Sequence, residues 1–572
     1  MPILLTETFT LPQVFAARVA QTPDGFAYSQ YTETGWVRMT WAETAREVGR
    51  WQAALRKEGL QPGDRVAVAA RNCIEWVLFD QAALALGLVV VPLYFNDRPD
   101  NMAWCLNDSG ARLLLLENPA LWPALHRQVP SVQRMVSLSR LPPEERAVYI
   151  KDWLPAVAET APAASFSADK LATIVYTSGT TGRPKGVMLS HRNIISDLIA
   201  LIEAVPEVVE GAHQFLSFLP LSHMFERTVG YYIPVCIGAG VTYARGIPEL
   251  AEDLQSQRPI ALVSVPRIFE RVYSKLDAAL PAGSLKRRLF QKTVTIGWKR
   301  FEKQATTWEN LLWLGLDLLV ARKIRARFGG RLRFVFIGGA AMDPRLSRVF
   351  TGLGFTLLQG YGLTETAPVL SCNRVQDNDP ASVGRPLAGV EIHTAENGEL
   401  LVRGPIIMQG YWNNPEATKA VIEQDGWFRT GDLVEIRNGK IYITGRVKDI
   451  IVLSNGEKIA PTDAEQAIST DPAFEQVMVV GEGRPALGLL VVSPLQDEKE
   501  LCARANKQLD TFPGYVRIRY IARVTEAWTV ENGLLTPTLK LKRSEVGRRF
   551  GKEIEAMYLN KAACQGTTSG SA

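Results

Sequence analysis

The stretch Thr173-Ile-Val-Tyr-Thr-Ser-Gly-Thr-Thr-Gly-Arg-Pro-Lys-Gly186 decides the fold. Its apolar first half is typical of a strand, and its second half holds four hydroxyl side chains, two glycines and a lysine within nine positions. Glycines let the backbone turn its N–H groups toward an anion, hydroxyls add donors, and lysine supplies a charge for phosphate. We therefore predict a polyphosphate cradle rather than an ordinary surface loop. It is not a Walker A loop, because Lys185 follows Pro184 and precedes Gly186.

Upstream of this loop, short apolar runs alternate with helical patterns across the first 120 residues. Thr40 and Glu43 form a capping box at the start of one predicted helix, and strand-like runs follow at 65–70, 89–93 and 112–117. This alternation predicts βαβ units and a mostly parallel sheet. We expect the Pro-, Ala- and Ser-rich residues 139–168 to be a surface connection.

Beyond Gly384 the pattern changes to short strand-like runs separated by Gly, Asn and Asp, which predicts a small antiparallel unit. An α+β pattern then restarts near Arg446. The fold class is therefore α/β with an α+β C-terminal part. We expect a large N-terminal domain of sheet-and-helix subdomains plus a small β unit (1–445), a smaller mobile C-terminal domain (446–560) and a flexible tail (561–572).

Composition excludes several classes of protein. The 572 residues are 47% hydrophobic and 22% charged, and the net charge is only +5, which is ordinary globular composition and does not call for nucleic acid. The six cysteines include no CxxC pair, so a zinc site is not expected. The N-terminus does not resemble a signal peptide, and the longest apolar run, 311–321, is too short to span a membrane.

The glycine-rich loop belongs to a longer stretch, YTSGTTGRPKGVMLSH (176–191), which resembles the AMP-binding signature of the adenylate-forming superfamily. This superfamily includes acyl-CoA synthetases, luciferases and peptide-synthetase adenylation domains. Further matches follow in family order: FLPLSHMF (218–225), GGAA (338–341), QGYGLTE (359–365), WFRTGD (427–432), GRVKD (445–449) and LTPTLK (535–540). The chain is most similar to long-chain fatty acyl-CoA synthetases through LPLSHMFER (219–227), VPRIFER (265–271) and its extended ending. That ending departs from the superfamily pattern at Leu539, where glycine usually sits.

The resemblance implies two half-reactions, in which ATP and an acid form an acyl-adenylate and coenzyme A then takes the acyl group. It implies that Lys185 holds the β- and γ-phosphates, Thr364 donates to the α-phosphate, Glu365 and Thr177 bind Mg²⁺, and Asp432 takes the ribose hydroxyls. The remaining ATP/AMP-binding residues that it implies are Ser178, Gly179, Thr180, Thr181, Gly182, Gly339, Ala340, Gln359, Gly360, Tyr361, Gly362 and Arg446.

Three further assignments rest on the same resemblance. Lys540 would bridge the substrate carboxylate and the α-phosphate, although Lys542 points the same way if the segment is extended. Lys448 matches the hinge about which the C-terminal domain rotates. His223 is a catalytic candidate before an apolar stretch that would wall the acyl pocket, with Tyr231 and Tyr232 as gate candidates; a packed core histidine is the alternative.

The segment 286–333 carries thirteen Lys/Arg and three Asp/Glu, a net charge of +10 with interleaved tryptophans and leucines. This combination suits an anionic lipid surface, and the alternative is a solvated basic helix face. We expect a cytoplasmic enzyme with a fatty acid and coenzyme A as substrates, no nucleic acid, and peripheral membrane contact through 286–333. The rival functions are a fatty acyl-AMP ligase, a medium-chain or aryl acid–CoA ligase, and a catalytically silent relative, against which the intact set of motif residues argues.

Overall fold

A computed structural model describes residues 2–142, 144–157, 166–177, 183–211, 213–536 and 540–559. Its strands are β1 (Phe26–Thr32), β2 (Gly35–Thr40), β3 (Arg65–Ala69), β4 (Val89–Pro92), β5 (Leu113–Leu116), β6 (Arg134–Ser137), β7 (Ala147–Tyr149), β8 (Leu171–Thr177), β9 (Lys185–Ser190), β10 (Gln214–Ser217), β11 (Gly240–Tyr243), β12 (Ala261–Ser264), β13 (Phe334–Ile337), β14 (Thr356–Gly362), β15 (Val369–Cys372), β16 (Arg385–Pro386), β17 (Glu391–Thr394), β18 (Glu399–Arg403), β19 (Gly410–Tyr411), β20 (Phe428–Arg437), β21 (Lys440–Arg446), β22 (Ile451–Val452), β23 (Lys458–Ile459), β24 (Gln476–Val480), β25 (Leu487–Val492) and β26 (Ile518–Val524).

The helices connect these strands and cover the sheets. They are α1 (Leu11–Gln21), α2 (Trp41–Lys57), α3 (Ile74–Ala85), α4 (Pro99–Ser109), α5 (Trp122–Leu125), α6 (Ile150–Trp153), α7 (His191–Ala204), α8 (Pro206–Gly211), α9 (Ile233–Ile237), α10 (Leu250–Gln257), α11 (Pro266–Ala278), α12 (Leu285–Phe301), α13 (Thr307–Leu316), α14 (Arg322–Ala326), α15 (Pro344–Gly352), α16 (Pro415–Lys419), α17 (Pro461–Ile468), α18 (Glu498–Gln508), α19 (Arg543–Arg549) and α20 (Gly551–Leu559). Two π-helical segments, Glu226–Tyr232 and Asp317–Ala321, and two 3₁₀ turns, Pro119–Leu121 and Thr364–Thr366, complete them.

Two large sheets form the N-terminal part. One has the order β19-β9-β8-β4-β3-β5-β6-β7 and the other β16-β15-β14-β13-β12-β10-β11-β1-β2. The central neighbours in both pair in parallel, which confirms the predicted βαβ organisation. Residues 139–168 were expected to be a surface connection, but part of the segment is regular structure: β7 forms the edge strand of the first sheet.

The main hydrophobic core lies between these two sheets. Helix α3 contacts strands of both, and all its residues from Ile74 to Ala85 except Glu75 are buried. A helix that is apolar all round must be covered on every side, so the sequence of α3 predicts its place in the middle of the domain.

The C-terminal part confirms the predicted change of pattern. The sheet β17-β18-β20-β21 is antiparallel. Beyond it, the three strands β24-β25-β26, the hairpin β22-β23 and helices α17–α20 form an α+β unit with its own core. Among the described helices, none is long and apolar enough to cross a bilayer.

Candidate active site

The glycine-rich loop connects the antiparallel strands β8 and β9. Thr177 and Lys185 are the last paired residues on either side of it. The residues of the loop itself, Ser178, Gly179, Thr180, Thr181 and Gly182, lie outside the described residues. Strand β19 pairs with β9, and the Lys185 ammonium lies 5.0 Å from the centroid of the Tyr411 ring. Tyr411 was not anticipated from the sequence, because some 220 residues separate it from β9.

Tyr411 also connects the loop to the predicted metal ligand. Its hydroxyl donates to Oε1 of Glu365 at 2.8 Å, and the Met408 N–H donates to the Glu365 carbonyl. Glu365 lies in the 3₁₀ turn Thr364–Thr366, directly after β14. The structure therefore brings Thr177, Lys185 and Glu365 to one side of the cleft.

The carboxyl ends of β13 and β14 supply the other predicted nucleotide contacts. Gly339 and Ala340 are exposed just past β13, at the edge where open parallel sheets bind ligands. A Cβ at Gly362 would lie 1.7 Å from the Pro368 carbonyl oxygen, so this position excludes every other residue. The Gln359 side chain is already engaged: its Nε2 donates to the Pro380 carbonyl at 2.6 Å, and its Oε1 accepts from the Met342 N–H.

Asp432 is the centre of a second cluster. The Tyr361 hydroxyl donates to its Oδ2 at 2.6 Å, and Nε of Arg446 donates to its Oδ1 at 2.8 Å. Asp432 and Arg446 are opposite residues of β20 and β21, and Tyr361 reaches them from β14. Burial raises the pKa of Tyr361, and the neighbouring Asp432 carboxylate raises it further, so the phenol stays a hydrogen-bond donor.

Lys540 enters this cleft from the C-terminal part. Residues 534–536 and 540–542 form a small hairpin, in which Leu535 bridges Leu541 and the Thr536 N–H donates to the Lys540 carbonyl. Lys540 is exposed at the cleft. Desolvation by the surrounding protein and the charge of Arg446 lower its pKa, while Asp432 and Glu365 raise it. Lys542 instead lies near Glu545.

His223 faces the same cleft. Burial and the Lys540 ammonium lower the pKa of its imidazole to about 4. The Phe225 N–H donates to Nδ1 at 3.2 Å, so the proton of the neutral ring is on Nε2. Asn72, which the sequence did not flag, holds the preceding loop: its Nδ2 donates to the Leu219 carbonyl and its Oδ1 accepts from the Leu221 N–H.

An apolar cavity lies beyond His223. It is lined by Leu201, Ile202, Val205, Val208, Val209, Phe225, Val229, Ile233, Phe336, Ile337, Leu358, Gly360, Val369, Cys372 and Asn373. The predicted gate residues Tyr231 and Tyr232 do not line it. They are fully buried, and their hydroxyls donate to the Asp80 carboxylate, since the π-helix turns them to the opposite side from Val229 and Ile233. The gate assignment stays a prediction without a structural contact.

Lys448, the predicted hinge, is exposed in the turn after β21, directly between the antiparallel sheet and the C-terminal unit. Gln466 of α17 donates from Nε2 to the Ala341 carbonyl at 3.1 Å, so the C-terminal unit contacts the loop after β13 in this arrangement. Within the described part of the chain, no three His, Cys, Asp or Glu side chains are grouped to hold a metal.

Comparisons with known proteins agree with this architecture. A sequence profile of AMP-binding enzymes matches residues 15–412, and a profile of the AMP-binding enzyme C-terminal domain matches residues 448–562. The long-chain-fatty-acid–CoA ligase FadD15 of Mycobacterium tuberculosis (strain H37Rv) is 32% identical over 94% of this chain and 95% of its own length. The probable acyl-activating enzyme 16 of Arabidopsis thaliana is 29% identical over 91% of this chain and 84% of its own length.

Solved structures show the same fold at lower identity. The anthranilate CoA ligase AuaEII in complex with anthranoyl-AMP superposes with a TM-score of 0.76 at 20% identity, covering 96% of this chain and 99% of that one. A fatty acyl CoA synthetase of Mycobacterium tuberculosis gives a TM-score of 0.64 at 22% identity, covering 95% and 98%. These likenesses concern the fold alone.

Proposed function

The chain belongs to the AMP-binding enzyme family, and on this premise we propose that it activates a long-chain fatty acid with ATP and transfers the acyl group to coenzyme A. The products are acyl-CoA, AMP and pyrophosphate. The observation that carries the proposal is the Lys540 ammonium, which lies within electrostatic reach of Glu365, Asp432 and Arg446. An apolar cavity lined by Phe225 and Gly360 supports it.

In the first half-reaction, a carboxylate oxygen attacks the α-phosphorus and the bond to pyrophosphate breaks. Two anions must approach each other, so the protein's task is to position them and to offset their charge. Lys540 supplies a cation between carboxylate and α-phosphate, and Lys185 supplies one for the β- and γ-phosphates. His223 is neutral at pH 7, since its pKa is about 4, and its Nε2–H can donate to a developing anion.

Asp432 fits a ribose. Each of its oxygens accepts one protein hydrogen bond and keeps a further acceptor position for a hydroxyl. Tyr361 and Arg446 hold the carboxylate in orientation, so the hydroxyls meet a fixed acceptor. Tyr361 additionally offers an aromatic face to the adenine, and the backbone at Gly339 and Ala340 can approach the adenine ring closely.

Mg²⁺ fits the donors at Glu365 and Thr177. Magnesium prefers hard oxygen ligands and is commonly held by one or two carboxylates together with substrate phosphates, and the single Glu365 carboxylate with a neighbouring hydroxyl matches that pattern. When bound, the ion neutralises phosphate charge. Tyr411 orients Glu365 toward it through the 2.8 Å hydrogen bond.

The apolar cavity supports a hydrophobic acid. Its walls are almost entirely aliphatic and aromatic, and it runs from Phe225 and Gly360 beside the cleft to Val205 and Val208 near α8. A purely apolar wall binds an alkyl chain through burial alone, without directional groups. In the second half-reaction the coenzyme A thiol attacks the acyl carbonyl and AMP leaves; Lys448, as the hinge, would allow Lys540 to withdraw.

The test separates the two half-reactions. Lys540→Ala should lower pyrophosphate release from ATP and palmitate by about 10²- to 10³-fold, while supplied palmitoyl-adenylate is still converted to the thioester. Lys542→Ala, two positions away beside Glu545, is the matched control and should keep both activities. An equal loss of both half-reactions in Lys540→Ala would contradict the assigned role.

A screen of pyrophosphate release over acids from acetate to oleate, with and without coenzyme A, tests the substrate. We expect the largest kcat/KM for long chains and release of AMP only with coenzyme A. Accumulation of acyl-adenylate in the presence of coenzyme A would indicate an acyl-AMP ligase, and preference for an aryl acid would contradict the long-chain assignment.

We also propose that the protein is cytoplasmic and meets membranes peripherally through residues 286–333. A long-chain acid partitions into bilayers, so an enzyme that uses it gains from acting at the surface. The support for this is the net charge of +10 in the segment, which suits anionic lipid.

A further inference from the structure

One helical face in the described part of the chain is apolar and uncovered. Helix α13, the π-helical segment Asp317–Ala321 and α14 form one continuous helical stretch from 307 to 326. Along it, five large apolar side chains are more than half exposed: Trp308 (71%), Leu311 (58%), Leu314 (65%), Leu318 (58%) and Leu319 (55%). Single exposed leucines are ordinary, but Trp308, Leu311, Leu314 and Leu318 recur at intervals of three and four residues and so share one face. Leu319 follows directly and widens that face.

The opposite face of the same stretch already has its partner. Trp313, Leu316, Ala321 and Ile324 are buried in the core that α12 and α15 complete. The exposed leucines are therefore not needed to fold the segment. Contiguous apolar surface of this kind, with polar residues around it, marks a site of interaction with a partner or a membrane.

The charges around this face select the partner. Arg322 and Lys323 lie one helical turn beyond Leu318 and Leu319 and are exposed. The acidic groups are neutralised nearby: Glu309 pairs with Lys299 at 2.5 Å and Asp317 with Arg325 at 2.7 Å. In the part of the chain that the structure describes, Arg322, Lys323 and Arg327 form no ion pair, so the rim of the face is cationic.

A second copy of the chain is a poor match, because pairing the two faces would bring two +10 segments together. An anionic bilayer matches both properties, since the apolar side chains enter the acyl boundary while Arg and Lys stems reach back to the headgroups. We propose that Trp308, Leu311, Leu314, Leu318 and Leu319 form an insertion face that anchors the protein in the interface of an anionic membrane. This rests on the membrane contact proposed above for residues 286–333 and names the side chains that make it, and it does not depend on which acid is activated.

The test uses the full chain and vesicles of phosphatidylcholine with ~30 mol% phosphatidylglycerol. The insertion variant is Leu311→Ser, Leu314→Ser and Leu318→Ser. The matched control changes three exposed apolar residues elsewhere, Leu4→Ser, Val37→Ser and Val157→Ser, which are 90%, 41% and 85% exposed. A charge variant carries Arg322→Gln, Lys323→Gln and Arg327→Gln; Arg325 is kept, because it bonds Asp317 and the Leu353 carbonyl.

Cosedimentation should show that the insertion variant partitions at least about tenfold more weakly than the parent, with the control within about twofold. The charge variant should lose most of the difference between anionic and pure phosphatidylcholine vesicles, and parent binding should fall by ~0.5 M salt. Activity on a soluble medium-chain acid should stay unchanged in all variants.

Equal vesicle binding by the parent and the insertion variant would overturn the proposal. So would a shift from dimer to monomer in sedimentation velocity with unchanged vesicle binding, because the face would then belong to a second copy. Vesicle binding is measured without ATP or acid, so this result is separate from the outcome of the half-reaction test.

Discussion

Two clusters in this protein use the same chemistry in opposite surroundings. In the cleft, Asp432 accepts from the Tyr361 hydroxyl and from Nε of Arg446. In the core, Asp80 accepts from the hydroxyls of Tyr231 and Tyr232 and from the Arg227 guanidinium. The Arg446 side chain is 45% exposed, whereas Arg227 and Asp80 are both fully buried.

This difference separates a binding cluster from a structural one. In the core cluster, protein groups donate to both oxygens of Asp80, although Nε of Arg227 has no partner among the described residues. The cluster has no access to solvent, so it holds α3 against the π-helix Glu226–Tyr232. The cleft cluster keeps one side open, so a ligand can complete it. The tyrosines that were gate candidates belong to the closed cluster. The four predictions below test this distinction, from the largest expected effect to the smallest.

The largest effect is expected for Arg227→Met. Removing the guanidinium leaves the Asp80 carboxylate buried without its counter-ion, and breaking such a pair typically costs about 3–5 kcal/mol of unfolding free energy. Urea denaturation followed by far-UV circular dichroism measures it. A loss below about 1 kcal/mol would mean that the core cluster is as dispensable as a surface pair.

Glu226, on the same π-helix, should make the stability of the core depend on pH. Burial raises its pKa from 4.5 to about 8, partly offset by Ser217. A raised carboxyl pKa stabilises the fold fully below pH 4.5, and this contribution is lost as pH rises toward 8. Between about pH 5 and 7.5 the loss is roughly 3 kcal/mol.

Glu226→Gln, which stays neutral, should abolish this part of the pH dependence, and urea midpoints at both pH values check it. If the urea midpoints of the parent and the variant change by the same amount between the two pH values, the buried-carboxyl interpretation is wrong.

Tyr231→Phe should have an intermediate effect. It removes one hydrogen bond to a buried carboxylate, worth about 1.5–3 kcal/mol, and the acceptor to which Gln81 Nε2 donates, while Tyr232 still donates to the same oxygen. We expect a loss within that range and an unchanged preference for acyl chain length. A shift of that preference without a loss of stability would restore Tyr231 as a gate residue.

Arg446→Met should change stability least, by under about 1 kcal/mol, because the ion pair is partly solvated. Its effect should appear in KM for ATP, which we expect to rise about tenfold, equivalent to about 1.4 kcal/mol of binding. Initial-rate kinetics at saturating acid measure it. If Arg446→Met lowers the unfolding free energy as much as Arg227→Met does, the distinction between an open and a closed cluster is wrong.

Much of the fold could be predicted from local patterns. The capping box at Thr40 and Glu43 begins α2 as expected, and the apolar run before the glycine-rich loop is β8. Of the motif residues, Arg446 donates to Asp432, and Lys540 lies within electrostatic reach of both and of Glu365; their roles in the reaction stay predictions. The gate assignment was not supported, because periodicity shows that Tyr231 and Tyr232 are apolar-face residues but not which side of the π-helix faces the cavity.

Other contributors carry no local signal. Asn72 positions the loop before His223 across about 150 residues of sequence. Tyr411 joins Lys185 to Glu365 through a strand pairing that spans about 220 residues. Neither residue has a distinctive neighbourhood in the sequence. The Gln359 side chain likewise lies in a motif but bonds two loops, so its role depends on contacts that are distant along the chain.

By itself, the sequence determined much of the order of strands and helices, the prediction of a phosphate-binding loop and the identity of the ionic residues, because these depend on side-chain type and short-range spacing. The tertiary structure decided which aspartate is open and which is closed, that Lys540 rather than Lys542 enters the cleft, and that five apolar side chains of the basic segment stay uncovered. Burial and electrostatic environment arise only when distant segments pack together. They decide whether a cluster of Asp, Tyr and Arg stabilises the core or stays accessible to a ligand.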